Sequence, residues 1–316
     1  MPEPVIAVVG PTAAGKSDLA LGLARALGGE VVNADSMQLY AGMDIGTAKL
    51  APAQRRGVPH HLLDIWDVTQ TASVAEYQRL ARAAIEDIRR RGLVPVLAGG
   101  SGLYVRAALD PLEFPGTDPE LRARLEAELA RSGPAPLYAR LTSADPVAAA
   151  AILPSNGRRI VRALEVIEVS GQPFSATLPR YESVYRAVQI GLAVERAELD
   201  ARIADRTARM FAAGLVEEVR GLERAGLREG RTASRALGYA QVLRFLAGEC
   251  PQEEALAQTI LATRRFVRRQ ESWFRRDPRV TWLPAGAADA GDLLERALAT
   301  IGPCGSRRGT APRTTS

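Results

Sequence analysis

The 316-residue chain is poor in lysine, histidine and cysteine, and each shortage narrows what it does. Two cysteines, Cys250 and Cys304, are too few for a disulfide framework or a multi-cysteine zinc site, and they suit a reducing cytoplasm. The two histidines stand together at His60 and His61; with no third histidine they make a poor metal site, so loop packing or substrate contact is expected of them. No apolar run approaches the roughly 18 residues that a membrane span needs. The first strand begins at Val5, leaving no room for a signal peptide. The expectation is a soluble cytoplasmic protein with no membrane partner, and a monomer is the plain default. Lysine is the sharpest shortage. Of 41 basic residues, only Lys16 and Lys49 are lysine. A chain that uses arginine wherever either cation serves keeps lysine where a wide, planar guanidinium does not fit. That argument singles out Lys16, while Lys49 divides evenly between a functional and an incidental role.

What surrounds Lys16 is a complete motif. Val5-Ile-Ala-Val-Val9 reads as a short buried strand, Gly10 to Ser17 fits G-x-x-x-x-G-K-S, and residues 18–27 continue as an apolar-periodic helix. Gly10 and Gly15 permit backbone angles that aim N–H groups inward, and Pro11, Thr12, Ala13 and Ala14 complete the cradle. Lys16 then reaches outer phosphate oxygens, and the Ser17 hydroxyl suits Mg²⁺. This predicts a phosphate or diphosphate site.

Residues 30–36 read as a second strand with a polar tip, Asp35-Ser36, placed by parallel-sheet logic near the phosphate loop. Asp35 is read as a general base, with a helix cap or turn as the bland alternative. Residues 37–49 look like a site-lining connection. Ser73 and Glu76 form a capping box opening a helix to about residue 91, and residues 93–98 give a third buried strand. That strand ends in Gly99-Gly-Ser101-Gly102, where a hydrolysing NTPase usually carries an acid for Mg²⁺ and water. The absence argues against an ATPase motor or a GTPase switch.

From Pro111 prolines punctuate short helices, with Asp118-Pro119 and Asp145-Pro146 as caps followed by first-turn prolines. Residues 112–183 are read as an all-helical insertion. Its helix at 156–170 has an apolar face of Ile160, Leu164 and Ile167 and gathers Arg158, Arg159 and Arg162 near its start, against the macrodipole, which favours phosphate-backbone contact. A fourth strand follows at 184–193. The helix at 195–213 carries Arg202, Arg206 and Arg209 on one side, either solvated or covering a diphosphate. Further helices are expected at 215–225, 232–247 and 252–276, and an edge strand at 279–283. Between Arg264 and Arg279 lie seven arginines and two acids, interleaved with Phe266, Trp273 and Phe274. That mixture suits nucleic acid, with an aromatic core face as the alternative. The tail at 303–316 is expected to be disordered.

Taken together, the chain resembles the tRNA dimethylallyltransferases, or tRNA isopentenyltransferases, of the bacterial type. The resemblance rests on Gly10 to Ser17, on Asp35-Ser-Met-Gln-Leu-Tyr-Ala-Gly-Met-Asp-Ile-Gly-Thr-Ala-Lys49, on Val58-Pro-His-His-Leu-Leu-Asp64 and on Gly99 to Gly102. It continues through Asp145-Pro-Val-Ala-Ala-Ala150, Arg159-Ile-Val-Arg-Ala-Leu-Glu165, Gly238-Tyr239, and Thr263 to Gln270 with Trp273-Phe-Arg275. The expected fold is α/β: a P-loop NTPase-like parallel sheet flanked by helices, its core at 1–111 and 184–302, with the helical insertion at 112–183. The resemblance implies transfer of a dimethylallyl group from dimethylallyl diphosphate to the exocyclic amine of the adenosine 3′ of the anticodon, with Mg²⁺.

On that chemistry, Lys16, the loop amides, Mg²⁺ and an arginine (Arg206 first, Arg202 second) stabilise the leaving diphosphate. Asp35 accepts the amine proton, and Ser101, often threonine in the family, orients a flipped-out adenine. The tRNA anticodon stem-loop is expected to meet Asp35, Ser36, Met37, Gln38, Ser101, Arg122, Arg158, Arg159, Ile160, Val161, Arg162, Arg235, Arg268, Arg269, Gln270, Trp273 and Arg275. Ala240 departs from the family, which usually has a basic residue there. Two other classes stay open: a phosphate-loop nucleoside or nucleotide kinase, and a non-enzymatic RNA-binding protein with a decayed loop.

Overall fold

The computed structural model describes residues 3–114, 116–174, 181–289 and 291–302; the tail at 303–316, expected to be disordered, lies outside them. The chain divides into two compact units. One runs to Asp110 and resumes at Ser183, and the other is Pro111–Glu182.

The first unit is a six-stranded, all-parallel sheet in the order β3-β2-β4-β1-β5-β6. Its strands are β1 (Val5–Val9), β2 (Gly29–Asn33), β3 (His60–His61), β4 (Val94–Gly99), β5 (Ala187–Ala193) and β6 (Val280–Pro284). β1 is buried at every residue, as a strand covered on both faces must be, and so shows no polar alternation. Because β1 lies between β4 and β5, the loop leaving its carboxyl end opens beside the ends of neighbouring parallel strands, where ligands of such sheets collect. Helices α1 (Lys16–Leu27), α2 (Val74–Arg90) and α3 (Gly102–Leu109) follow β1, β3 and β4. The core packs Ile6, Val8, Val96 and Ile190 against Leu23 of α1. Each such fully buried aliphatic side chain is worth roughly 1.5–3 kcal/mol.

In the second unit α4 (Pro119–Ser132), α5 (Pro134–Ala144), α6 (Pro146–Ala151) and α7 (Gly157–Ser170) enclose their own core of Leu121, Leu125, Leu137, Leu141 and Leu164. The expected caps are present: Asp118 accepts from the Glu120 and Leu121 amides at 3.0 Å, and Asp145 accepts from the Ala148 amide at 2.9 Å. Ile160 and Val161, expected to meet tRNA, are instead core residues of this unit, 0% and 3% exposed. Helical periodicity turns them inward while Arg158 and Arg159 stay exposed.

The first unit continues with α8 (Arg196–Ala212), α9 (Leu215–Arg224), α10 (Tyr239–Leu246), α11 (Gln252–Phe274) and α12 (Leu293–Ile301). Three elements differ from the sequence reading. β3 is two residues long, too short to show a period, yet His60 and His61 pair with Val31 and Val32. The helix expected over 232–247 is interrupted: Ala233–Arg235 forms a 3₁₀ turn, and α10 starts only after Gly238, whose φ of 87° no continuous helix accepts. Finally, α12 packs Ala297 and Ile301 into the sheet core beyond the last strand foreseen.

Candidate active site

The phosphate loop folds as its glycines dictate. Gly15 caps α1 at φ 94°, Gly10 has φ 131°, and Ala13 is drawn to φ 64° between them. A Cβ on Gly10 would stand 3.1 Å from the Leu192 carbonyl of β5, so a side chain there is both crowded and strained. Lys16 donates to the Pro11 carbonyl at 2.7 Å. Burial lowers its ammonium from 10.5 to about 8; Asp35 opposes that shift and Arg206 adds to it. A cation kept short of counter-charge is prepared for an anion.

Asp35 hangs from a shelf that begins one turn earlier. Asn33, buried at the end of β2, receives the Asp35 amide on Oδ1 at 2.9 Å, and its Nδ2 donates to the Asp35 and Leu62 carbonyls at 3.0 and 2.9 Å. Tyr77 donates to the Asn33 carbonyl at 2.9 Å. Asp35 Oδ1 in turn accepts from the Met37 amide at 2.9 Å. Among the described residues no hydrogen bond engages Oδ2, which leaves an acceptor lone pair for a substrate proton. Ser101 stands before α3 without capping it; its Oγ accepts from the Ser36 amide and meets Ser36 Oγ, both at 3.2 Å.

Gln270 corrects another expectation. Expected at the tRNA surface, it is 5% exposed, with its amide spent inside the protein. Oε1 accepts from the Thr12 amide and Nε2 donates to the Gly100 carbonyl, each at 2.9 Å. The side chain therefore ties the phosphate loop to the turn carrying Ser101. The glycine-rich turn is flush with α11: a Cβ on Gly100 would lie 2.3 Å from Gln270 Nε2, and one on Gly102 would lie 2.1 Å from the Trp273 ring. Trp273 itself remains 43% exposed, and Arg268, Arg269 and Arg275 are exposed along the same helix.

Arg206 and Arg202 separate clearly. Arg202 is engaged by Glu198 at 2.5 Å and by the Ala285 carbonyl at 3.3 Å. Among the described residues Arg206 donates only at the long limit, to Thr12 Oγ1 at 3.4 Å and to the Thr47 carbonyl at 3.5 Å. Burial lowers its pKa, with Asp35 opposing. Its donors are directed but not saturated. In the second unit, Arg122 and Arg162 both bind the fully buried Glu165 carboxylate, so at least one part of each guanidinium serves the fold.

Two cavities meet at this place. One of about 90 Å³ is lined by Lys16, Ser17, Asn33 and Gln38 among others. One of about 320 Å³ is lined by Ser36, Met37, Ser101, Arg235 and Arg269 together with apolar Ile203, Met210, Leu215 and Phe266. Thr12, Asp35, Thr47 and Arg206 line both. One side suits a diphosphate, the other a planar or apolar group, and Asp35 lies at their junction.

Lys49 resolves as scaffold. Its ammonium, 3% exposed, donates to the Tyr40 carbonyl at 2.9 Å, Asp44 at 2.7 Å and Asp64 at 2.5 Å, closing the 37–66 connection. His61 pairs with Glu30 at 2.6 Å, and Arg91 binds the same carboxylate, so this histidine serves the sheet edge. Asn33, the inward hydrogen bonds of Gln270 and the Glu218 carboxylate were missed by sequence reasoning. A lone polar residue ending a β-branched run was the one signal available, and only for Asn33.

Comparison with known proteins gives the family of the chain. A family model described as IPP transferase matches residues 38–277. The chain is 70% identical over 302 residues to the tRNA dimethylallyltransferase of Thermobifida fusca (strain YX), covering 94% of each, and 69% identical over 297 residues to that of Streptomyces avermitilis, covering 94% and 95%. Among solved structures it is similar to the full-length tRNA isopentenylpyrophosphate transferase from Bacillus halodurans, at 39% identity and TM-score 0.70 over 95% of this chain and 97% of that one. It is also similar to a eukaryotic dimethylallyltransferase acting on tRNA, at 26% identity and TM-score 0.81 over 93% and 77%. The chain belongs to the IPP transferase family, that of the tRNA dimethylallyltransferases.

Proposed function

We infer that the protein transfers a dimethylallyl group from dimethylallyl diphosphate to the exocyclic amine of the adenosine immediately 3′ of the anticodon in tRNA. The observation that carries the residue roles is the junction of the two cavities at Asp35, with Lys16 on one side and Ser101 on the other. The allylic C–O bond breaks with its electron pair leaving on the diphosphate, the N–C bond forms, and the amine proton passes to Asp35. An aromatic amine is a weak nucleophile, so a carboxylate accepting that proton as the bond forms contributes about 10²–10⁴-fold. Lys16, the loop amides and Arg206 take up the charge that develops on the leaving oxygen. Ser101, held by Ser36, orients the adenine. A base stacked in the anticodon loop cannot reach this junction, so the adenosine enters flipped out.

Ser17 fits Mg²⁺. It stands at the start of α1 and lines the small cavity with Asp35, and no cluster of three metal-ligating side chains occurs among the described residues. One or two protein oxygens completed by diphosphate oxygens and water is a donor set Mg²⁺ prefers. Bound there, the ion supplies Lewis-acid stabilisation of the leaving diphosphate. For the tRNA, exposed Arg158 and Arg159 on α7, Arg235, and Arg268, Arg269, Trp273 and Arg275 support backbone contact and stacking. No described helix is long and apolar enough to cross a membrane.

The test is a transfer assay with radiolabelled dimethylallyl diphosphate, Mg²⁺ and unmodified tRNA. Label is expected in tRNA without ADP formation in parallel reactions given ATP. Label confined to small molecules, with ATP-dependent phosphorylation instead, would reject the reading.

A further inference from the structure

Glu218, on α9, is a carboxylate with no arginine or lysine bonded to it among the described residues. Its hydrogen bonds come from neutral groups. Oε2 accepts from the amides of Asp44 at 3.1 Å and Ile45 at 2.7 Å. Oε1 accepts from the Gly46 amide at 3.2 Å and the Tyr239 hydroxyl at 2.6 Å. Three successive amides converging on one anion form a nest, which fixes the peptide planes of the turn. The turn rests directly on Tyr239, since a Cβ on Gly46 would stand 2.4 Å from that ring. Tyr239 is fully buried, and burial together with the Glu218 charge raises its pKa, keeping the hydroxyl a donor.

The next residue carries the consequence. The Thr47 carbonyl accepts from Gln38 Nε2 at 3.1 Å and from Arg206 Nη2 at 3.5 Å, and Gly46 and Thr47 form part of the wall of the larger cavity. We propose that Glu218 is a positioning residue for prenyl transfer, fixing the 44–46 turn so that the Thr47 carbonyl holds Arg206 over the leaving diphosphate. The proposal rests on Arg206 being a diphosphate ligand. One of the two long contacts of Arg206 is made to that carbonyl and the other to Thr12 Oγ1, so a loosened turn removes half of what directs the guanidinium and reaches the reacting atoms through it.

The test is a double-mutant cycle of Glu218→Ala with Arg206→Ala, reading kcat and KM for dimethylallyl diphosphate alongside Tm. E218A is expected to lower kcat about 10–30-fold, a loss of the size that misplacing a charge-stabilising group produces. E218Q can still accept from Ile45 and donate to Tyr239, so it is expected within about 3-fold of wild type. In the R206A background E218A is expected to add less than about 3-fold, because residues acting in series do not multiply. Full multiplication of the two losses, or unchanged kcat in E218A, would overturn the Glu218 link alone. Wild-type kinetics in R206A would instead remove the reading of Arg206 and the proposal with it. If E218A does not fold, E218Q combined with Tyr239→Phe in both Arg206 backgrounds reads the same coupling.

Discussion

The two lysines of this arginine-rich chain have opposite surroundings. Lys16 makes one hydrogen bond among the described residues, to a carbonyl, and burial brings its pKa down to about 8. Lys49 is saturated by three oxygens, two of them carboxylates, and no shortage of charge surrounds it. Both sites exclude arginine, for different reasons. Three acceptors converging on one nitrogen match an ammonium and not a fork, whereas the interior of a phosphate loop is too narrow for a guanidinium. Rarity of a residue type therefore marks positions that geometry constrains; the satisfaction of the group then tells a binding site from a scaffold.

Substitution at the two positions should split activity from stability. Lys16→Met is expected to lower kcat/KM for dimethylallyl diphosphate by about 10³-fold, as loss of a buried leaving-group cation does. It is also expected to stabilise the fold. The folded-state pKa lies below 10.5, so the folded chain binds this proton less tightly than the unfolded chain. Lys16 therefore costs stability in full below pH 8, and the cost fades as pH rises towards 10.5. Removing it at pH 7 is expected to add about 1–3 kcal/mol, read as a rise in Tm.

The next largest effect tests the tie between the two halves of the site. Gln270→Ala frees the Thr12 amide and the Gly100 carbonyl together and is expected to lower kcat about 30-fold, with Tm falling by only a few degrees. A variant that loses Tm but keeps kcat would make Gln270 ordinary packing.

The pH dependence follows from the same lysine. KM for dimethylallyl diphosphate is expected to be lowest near pH 7, between protonation of the substrate's own phosphate at about pH 6 and loss of the Lys16 proton, and to rise above pH 8, approaching about tenfold per pH unit. K16M should lack this rise. Lys49→Met gives the smallest change in chemistry: kcat within about 3-fold of wild type well below Tm, with stability lowered by about 2 kcal/mol because Asp44 and Asp64 lose their shared partner. A K49M protein that folds normally yet loses transfer would erase the contrast.

The same contrast accounts for what the sequence disclosed. The phosphate loop, Asp35 and Ser101 were legible because local pattern determines them: strand, glycine turn, helix, and polar tips at strand ends. Gln270 was not, because its partner Thr12 lies 258 positions away and nothing in Arg268-Arg-Gln270 distinguishes an inward amide from a surface one. Glu218 was hidden similarly, as three of its four hydrogen bonds come from backbone amides that carry no residue identity. Ile160 was legible as the apolar face of its helix, and the same helix period excludes the tRNA contact that the resemblance implied for Ile160 and Val161. β3 was missed because two residues carry no period at all.

The measurement that tests the central claim most directly compares Asp35→Ala with wild type in two readouts: single-turnover transfer to tRNA and the Kd for dimethylallyl diphosphate. With Asp35 at the junction as proton acceptor, transfer is expected to fall at least about 100-fold while Kd changes by less than about 3-fold. Equal losses in both would make Asp35 a part of the diphosphate cradle, and unchanged transfer would contradict the mechanism outright.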